Sequence, residues 1–89
     1  MTGIVTAFAL TAGMVAQATG GRLTAGPPEQ AFGSVSIDSR ALAAGALFVA
    51  IKGERFDGHA YVKDALARGA SGVMVSAPVA PGDAAVIEV

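Results

Sequence analysis

The sequence contains no cysteine and no tryptophan, one histidine, four phenylalanines and one tyrosine. Without cysteine there is neither a disulfide framework nor a thiolate zinc site. His59 has no second histidine to pair with, so the sequence offers no metal site. Excess charge is missing too: the formal net charge is −1. A nucleic-acid module carries a basic face, and so does a binder of anionic membranes, so both partner classes are excluded. A membrane span needs about 20 apolar residues; the apolar stretch from Ile4 is interrupted by Thr11, Gly13 and Gln17. No Lys or Arg precedes that stretch, as the basic start of a secretory signal requires. These absences fit a cytoplasmic protein. Neither G-x-x-x-x-G-K-[ST] nor G-x-G-x-x-G occurs, so the sequence holds no P-loop and no dinucleotide fingerprint. One histidine beside one serine does not make a Ser/His/Asp set.

What is present is small and apolar. The 89 residues suffice for a single small domain, 1–89, and 53% are hydrophobic, chiefly Ala and Val. Small side chains suit thin layers and close helix–sheet packing. A short strand or extended lead-in is expected over residues 4–10. Thr11 is placed to cap a helix over Ala12–Thr19, with Met14, Val15 and Ala18 as its apolar stripe and Gly20-Gly21 as its end. Arg22–Thr24 and Gly33–Ile37 read as strands, the second with Val35 and Ile37 on one face. The Ala25–Pro28 segment and Ala41–Gly45 read as loops. Ala46–Ile51 is an unbroken apolar run that fits a strand covered on both faces. Gly53–Gly58 is a loop. Asp57 can cap a helix over His59–Arg68, with Tyr61, Val62, Ala65 and Leu66 as its buried stripe and Gly69 or Gly72 as its end. Val73–Val75 and Ala85–Val89 complete the strands. Residues 46–75 have the length of a βαβ crossover. The expected fold is α/β: a small sheet with a βαβ unit and flanking helices.

Charge is concentrated in one region. Of the 13 Asp, Glu, Lys and Arg residues, nine lie from Asp38 to Arg68, and the single histidine, His59, lies in the same stretch. Two groups follow predicted strands directly: Asp38-Ser39-Arg40, and Lys52 through His59. In open α/β sheets, ligands bind at the carboxyl ends of strands, so these two segments are the candidate site. Each residue also has a plain structural reading. Asp38 and Ser39 can stabilise a turn through side-chain-to-backbone bonds. Arg40 can form an ordinary ion pair with Asp38 or Asp57. Arg55 can be a surface residue, and Phe56 either a core anchor or a stacking face. Asp57 serves as a helix cap and His59 as a structural residue in the first turn.

Three motifs at consistent spacing then resemble a known family. Ile37-Asp38-Ser39-Arg40, the run Gly45 through Gly53, and Glu54-Arg55-Phe56-Asp57-Gly58-His59 are similar to the N-terminal domain of the Mur ligases. Ala65-Leu66-Ala67-Arg68-Gly69-Ala70 continues the pattern, which covers about residues 33–76. The triplet Glu54-Arg55-Phe56 looks most like the branch that adds D-alanyl-D-alanine; the branch that adds the third amino acid shares the frame. The resemblance implies a three-domain, cytoplasmic, ATP- and Mg²⁺-dependent amide-forming ligase of peptidoglycan-precursor synthesis. Its substrates would be UDP-N-acetylmuramoyl-tripeptide and D-alanyl-D-alanine, joined through an acyl phosphate.

Within that enzyme the present chain would be the UDP-sugar-binding domain. It would have no catalytic residue and no cofactor of its own, because the central ATP-binding and C-terminal domains are absent from it. The resemblance implies that Ile37, Ser39, Glu54, Arg55 and Phe56 contact uracil and ribose; on guanidinium chemistry alone, Arg55 or Arg40 could reach the diphosphate in a bidentate way. Asp38, Asp57, Gly58 and His59 would support the site. Two further readings stand beside this one: a stand-alone nucleotide-sugar module, and an interaction domain in which residues 38–59 are only turns and caps.

Overall fold

The computed structural model describes residues 10–50, 52, 57–79, 82 and 84–89. The expectation for residues 4–9, and the placement of Glu54, Arg55 and Phe56, lie outside the described residues.

In chain order the elements are β1 (Leu10–Thr11), α1 (Ala12–Thr19), β2 (Arg22–Ala25), β3 (Ala31–Phe32), β4 (Val35–Ser36), a 3-10 turn at Ser39–Ala41 and β5 (Leu47–Val49). A second 3-10 turn at Gly58–Tyr61 follows, running into α2 (Val62–Ala67), then β6 (Gly72–Val75) and β7 (Ala85–Glu88). The main sheet has the order β2-β7-β6-β5-β4. Strands β4, β5, β6 and β7 pair in parallel, and β2 closes one edge antiparallel to β7. A small antiparallel ribbon, β1 with β3, stands apart from it. The expected α/β fold with its βαβ unit is therefore present, as β5-α2-β6.

Alternation along the strands divides the apolar side chains between two layers. Phe48, Ala50, Val73, Val75 and Val86 face α2 and pack on Val62 and Ala65. Leu47, Ala85 and Ile87 face α1 and pack on Ala12, Val15 and Phe32. A sheet covered on both sides needs apolar residues at every position, which is why 46–51 reads as a continuous run. Phe48, Val73, Val75 and Ile87 are fully buried.

Both helices end as chain chemistry requires. The Thr11 hydroxyl accepts from the Met14 amide at 3.3 Å, and the carbonyls of Gln30 and Pro28 take the amides of Ala12 and Gly13 at 2.8 and 2.9 Å. The free donors of the first turn of α1 are thus satisfied from a neighbouring loop. Helix α2 closes at Gly69, where φ is 98° and Ala70 N–H bonds back to Ala65 at 3.1 Å. Gly72 lies inside β6, so it does not end the helix. No helix among the described residues is long and apolar enough to cross a membrane.

Several local expectations are corrected. In α1, Met14 and Ala18 are exposed, and Ala12 with Val15 forms the buried face, because α1 presents its first turn to β7. The strand expected at Gly33–Ile37 is only Val35–Ser36, and β3 precedes it. The predicted helix 59–68 begins as a 3-10 turn. Its three-residue repeat rotates Tyr61 out of the buried stripe, leaving it 42% exposed.

Gly72 shows how tightly the α1 layer is built. A Cβ there would lie 2.5 Å from the ring of Phe32, which is itself buried. Gly72→Ala is expected to destabilise the chain by about 1–3 kcal/mol, read as a lower denaturant midpoint. Phe32→Leu in the same chain should recover part of that loss.

Candidate functional site

The carboxyl ends of the parallel strands lie along one rim of the sheet. Strand β4 runs out into Ile37-Asp38-Ser39-Arg40, and an open cleft of about 360 Å³ is lined by these four residues and Tyr61. Tyr61 arrives from the 3-10 turn that starts α2. The cleft therefore joins the end of β4 to the start of α2, at the kind of place where α/β sheets hold ligands.

Its polar groups are largely committed to one another. Asp38 caps the 3-10 turn by accepting from the Arg40 amide at 2.9 Å. The same carboxylate takes Arg40 Nε and Nη2, each at 3.1 Å, in a two-pronged ion pair. Arg40 holds the Asp38 carboxyl below its ordinary range, and Asp38 raises the guanidinium in turn. Of the two partners open to Arg40, the structure selects Asp38. The Arg40 side chain is 81% exposed, and its Nε and Nη2 bonds to Asp38 leave the Nη1 group outside the pair. Ser39 is 3% exposed. Its hydroxyl, together with the Arg68 guanidinium, lowers the Asp64 carboxyl, which ties the turn to α2.

The apolar part is supplied by Ile37, 59% exposed, and Tyr61. Tyr61 is the cleft residue that sequence reasoning missed. A period of 3.6 through residue 61 assigned it to the core, and no local signal in the sequence marks the first turn as 3-10 rather than α-helical.

The second predicted segment is reached in part. Asp57 caps its turn, accepting from the His59 amide at 3.0 Å, and lies 2.7 Å from His59 Nδ1. His59 Nε2 accepts from the Ser76 amide, just past β6, at 2.9 Å. Gly58 is buried beside them. The capping and structural readings of Asp57 and His59 therefore describe their geometry. Lys52 and Asp57 pair through their backbones as an isolated antiparallel bridge. Among the described residues, no group of three His, Cys, Asp or Glu side chains could hold a metal ion.

Asp38, Asp57 and Asp64 share one consequence. Each has a folded pKa lowered from 3.8: Asp38 by Arg40, Asp57 by the His59 amide and ring, Asp64 by Ser39 and Arg68. Between the ordinary value and the lowered ones the unfolded chain binds more protons, so stability rises with pH there. The stabilisation is present above the ordinary aspartate range and is lost as pH falls through the lowered values. Acid titration of unfolding should show this loss below about pH 4, and Asp57→Asn should flatten part of it. An identical acid profile in that variant would contradict the assignment.

Comparison with known proteins agrees with this architecture. The family described as "Mur ligase family, catalytic domain" matches residues 32–88. The UDP-N-acetylmuramoyl-tripeptide--D-alanyl-D-alanine ligase of Mycobacterium leprae is 43% identical over 75 residues, covering 79% of this chain and 14% of that protein. The UDP-N-acetylmuramoyl-L-alanyl-D-glutamate--2,6-diaminopimelate ligase of Agrobacterium fabrum is 55% identical over 42 residues, 47% of this chain and 9% of the relative. The crystal structure of MurF from Acinetobacter baumannii superposes with a TM-score of 0.79 at 33% identity, over 91% of this chain and 18% of the other. The MurF ligase of Thermotoga maritima, solved in complex with ADP, superposes with a TM-score of 0.57 at 32% identity, over 63% of this chain and 13% of that one. The chain thus spans less than a fifth of the length of these relatives. With the family match extending over most of the sheet, the chain belongs to the Mur ligase family and has the fold of that family's N-terminal domain.

Proposed function

We propose that this chain is the part of a peptidoglycan-precursor ligase that holds the uridine end of UDP-N-acetylmuramoyl-tripeptide, in an enzyme that joins D-alanyl-D-alanine to it. The observation that carries the reading is the cleft itself. It offers two exposed apolar walls, Ile37 and Tyr61, and an exposed guanidinium, Arg40, at the carboxyl ends of parallel strands. A planar pyrimidine fits between an aliphatic and an aromatic wall, and base–aromatic stacking contributes about 1–3 kcal/mol. The Nη1 group of Arg40 suits a diphosphate. Asp38 holds the guanidinium in place through its own two-pronged pair.

The remaining site residues enter the proposal on the family resemblance. Glu54, Arg55 and Phe56 precede Asp57 in sequence and would complete the contacts to uracil and ribose. Ser39 takes a narrower role than a hydroxyl presented to the base: buried beside Asp64, it supports the turn whose backbone faces the ligand.

The chain's part in the reaction is to bind and orient. ATP and Mg²⁺ would belong to the longer enzyme, where they activate the substrate carboxylate. The residues present here do not fit either: the sequence has no P-loop, and the described residues offer no metal-ligating cluster. No step through them is assigned to this chain. The cellular setting that goes with the reading is the cytoplasm, in cell-wall biogenesis and hence cell shape and division.

A second reading, the branch that adds the third amino acid, is favoured by the 55% identity to the diaminopimelate ligase. Both kinds of relative act on a UDP-N-acetylmuramoyl compound by name, so the residues that hold uridine would be common to them. The two readings part at the incoming substrate: the longer protein should consume D-alanyl-D-alanine rather than diaminopimelate.

Binding to the chain itself is tested by titration with UDP. Saturable binding is expected, and Ile37→Asp and Tyr61→Leu should each weaken it about tenfold. Gln17→Ala, on the exposed face of α1, should leave it unchanged. Equal affinity in all four chains would contradict the assignment of the cleft.

A further inference from the structure

We propose that His59 is a positioning residue of the cleft and that it works in one form only: the neutral ring with its hydrogen on Nδ1, cross-linking the turn that carries Tyr61 to the end of β6. The inference rests on the uridine reading of the cleft and adds to it a residue that contacts no ligand.

The tautomer follows from the partners. The Ser76 amide, 2.9 Å from Nε2, can only donate. Nε2 must therefore present its lone pair, and a neutral ring that does so carries its hydrogen on Nδ1. That hydrogen points to Asp57 Oδ1 at 2.7 Å, an oxygen that also accepts from the His59 amide at 3.0 Å. The imidazolium and the Nε2–H tautomer would each set an N–H against the Ser76 N–H. Among the described residues, the charged groups about the ring are Asp57, on its own turn, and Lys52, whose charge helps lower the Asp57 carboxyl; Ser76, just past β6, is uncharged. The ring itself is 14% exposed.

The same bonds exclude another interpretation. Asp57, His59 and Ser76 line up in the order of a hydrolytic triad, and Ser76 Oγ lies 3.3 Å from Nε2. The single in-plane lone pair of Nε2 is already taken by the shorter bond from the amide. No acceptor remains for the hydroxyl proton, so Ser76 is not an activated nucleophile.

The cross-link spans 17 residues of sequence. On one side is the strand end, fixed by pairing with both β5 and β7. On the other is the 3-10 turn Gly58–Tyr61, whose last residue forms the aromatic wall of the cleft. A 3-10 turn is held by poorer hydrogen bonds than an α-helix, so an external tie to the sheet sets where Tyr61 stands.

Two conservative variants separate the halves of the link. The amide oxygen of glutamine reaches about as far as Nε2 and can accept from Ser76; asparagine reaches only as far as Nδ1 and can serve Asp57 alone. His59→Gln should keep the affinity of the chain for UDP within about threefold, and His59→Asn should weaken it about tenfold. Ser76→Ala, which retains the amide, should bind UDP as the unsubstituted chain does. ¹⁵N spectroscopy of the ring should find Nδ1 protonated and Nε2 bare. Hydrogen exchange at the Ser76 amide should be slow in the unsubstituted chain and in His59→Gln, and fast in His59→Asn. A proton on Nε2, equal losses in the two His59 variants, or loss of binding in Ser76→Ala would overturn the proposal. Absence of UDP binding by the unsubstituted chain is a separate result: it overturns the uridine reading and the positioning role with it, while the ring spectrum still reports the cross-link.

Discussion

The parallel pairing of β4, β5, β6 and β7 is the constraint on which the rest of the structure depends. Val35 lies opposite Leu47, Leu47 opposite Gly72, and Gly72 opposite Ala85. In that register these four strands run the same way, and their carboxyl ends reach the same rim. The pairing also fixes both layers, since residues alternate faces along each strand: Phe48, Val73 and Val86 meet α2, while Leu47, Ala85 and Ile87 meet α1. A slip of one residue would exchange the two sets and place the wrong side chains beneath each helix.

The rim inherits its chemistry from this arrangement. The segments that leave β4 and precede α2 are the two charged groups of the sequence, and polar groups of their described residues pair within each turn. Asp38 serves the Arg40 amide and guanidinium, Asp57 serves the His59 amide and ring, and Ser39 stands beside Asp64. Exposed pairs of this kind contribute little to stability. Their effect is geometric: they fix two short turns, and Ile37, Arg40 and Tyr61 line the cleft where those turns meet.

Much of this was legible in the sequence, for identifiable reasons. The unbroken run at 46–51 announced a strand covered on both sides. Thr11 and Asp57 announced caps, and both accept the expected backbone amides. The strand-end placement of Asp38-Ser39-Arg40 announced the cleft. What escaped had no local signal. Strand β3 is only two residues long, too short for any periodicity. Tyr61 was misassigned because a 3-10 turn and an α-helix place the same residue on different faces. The choice of Asp38 over Asp57 as the partner of Arg40, and the reach of His59 to Ser76, depend on distances that sequence spacing does not contain.

The central claim is that a uridine nucleotide lies between Ile37 and Tyr61 at the carboxyl rim of the sheet. The most direct measurement is of intermolecular contacts by NMR in the chain saturated with UDP. The account predicts cross-relaxation from the uracil ring protons to the Ile37 methyls and the Tyr61 ring. Contacts found instead at the opposite rim, on Leu66, Ala70 or Ser71, or no contact with either wall at saturation, would contradict it.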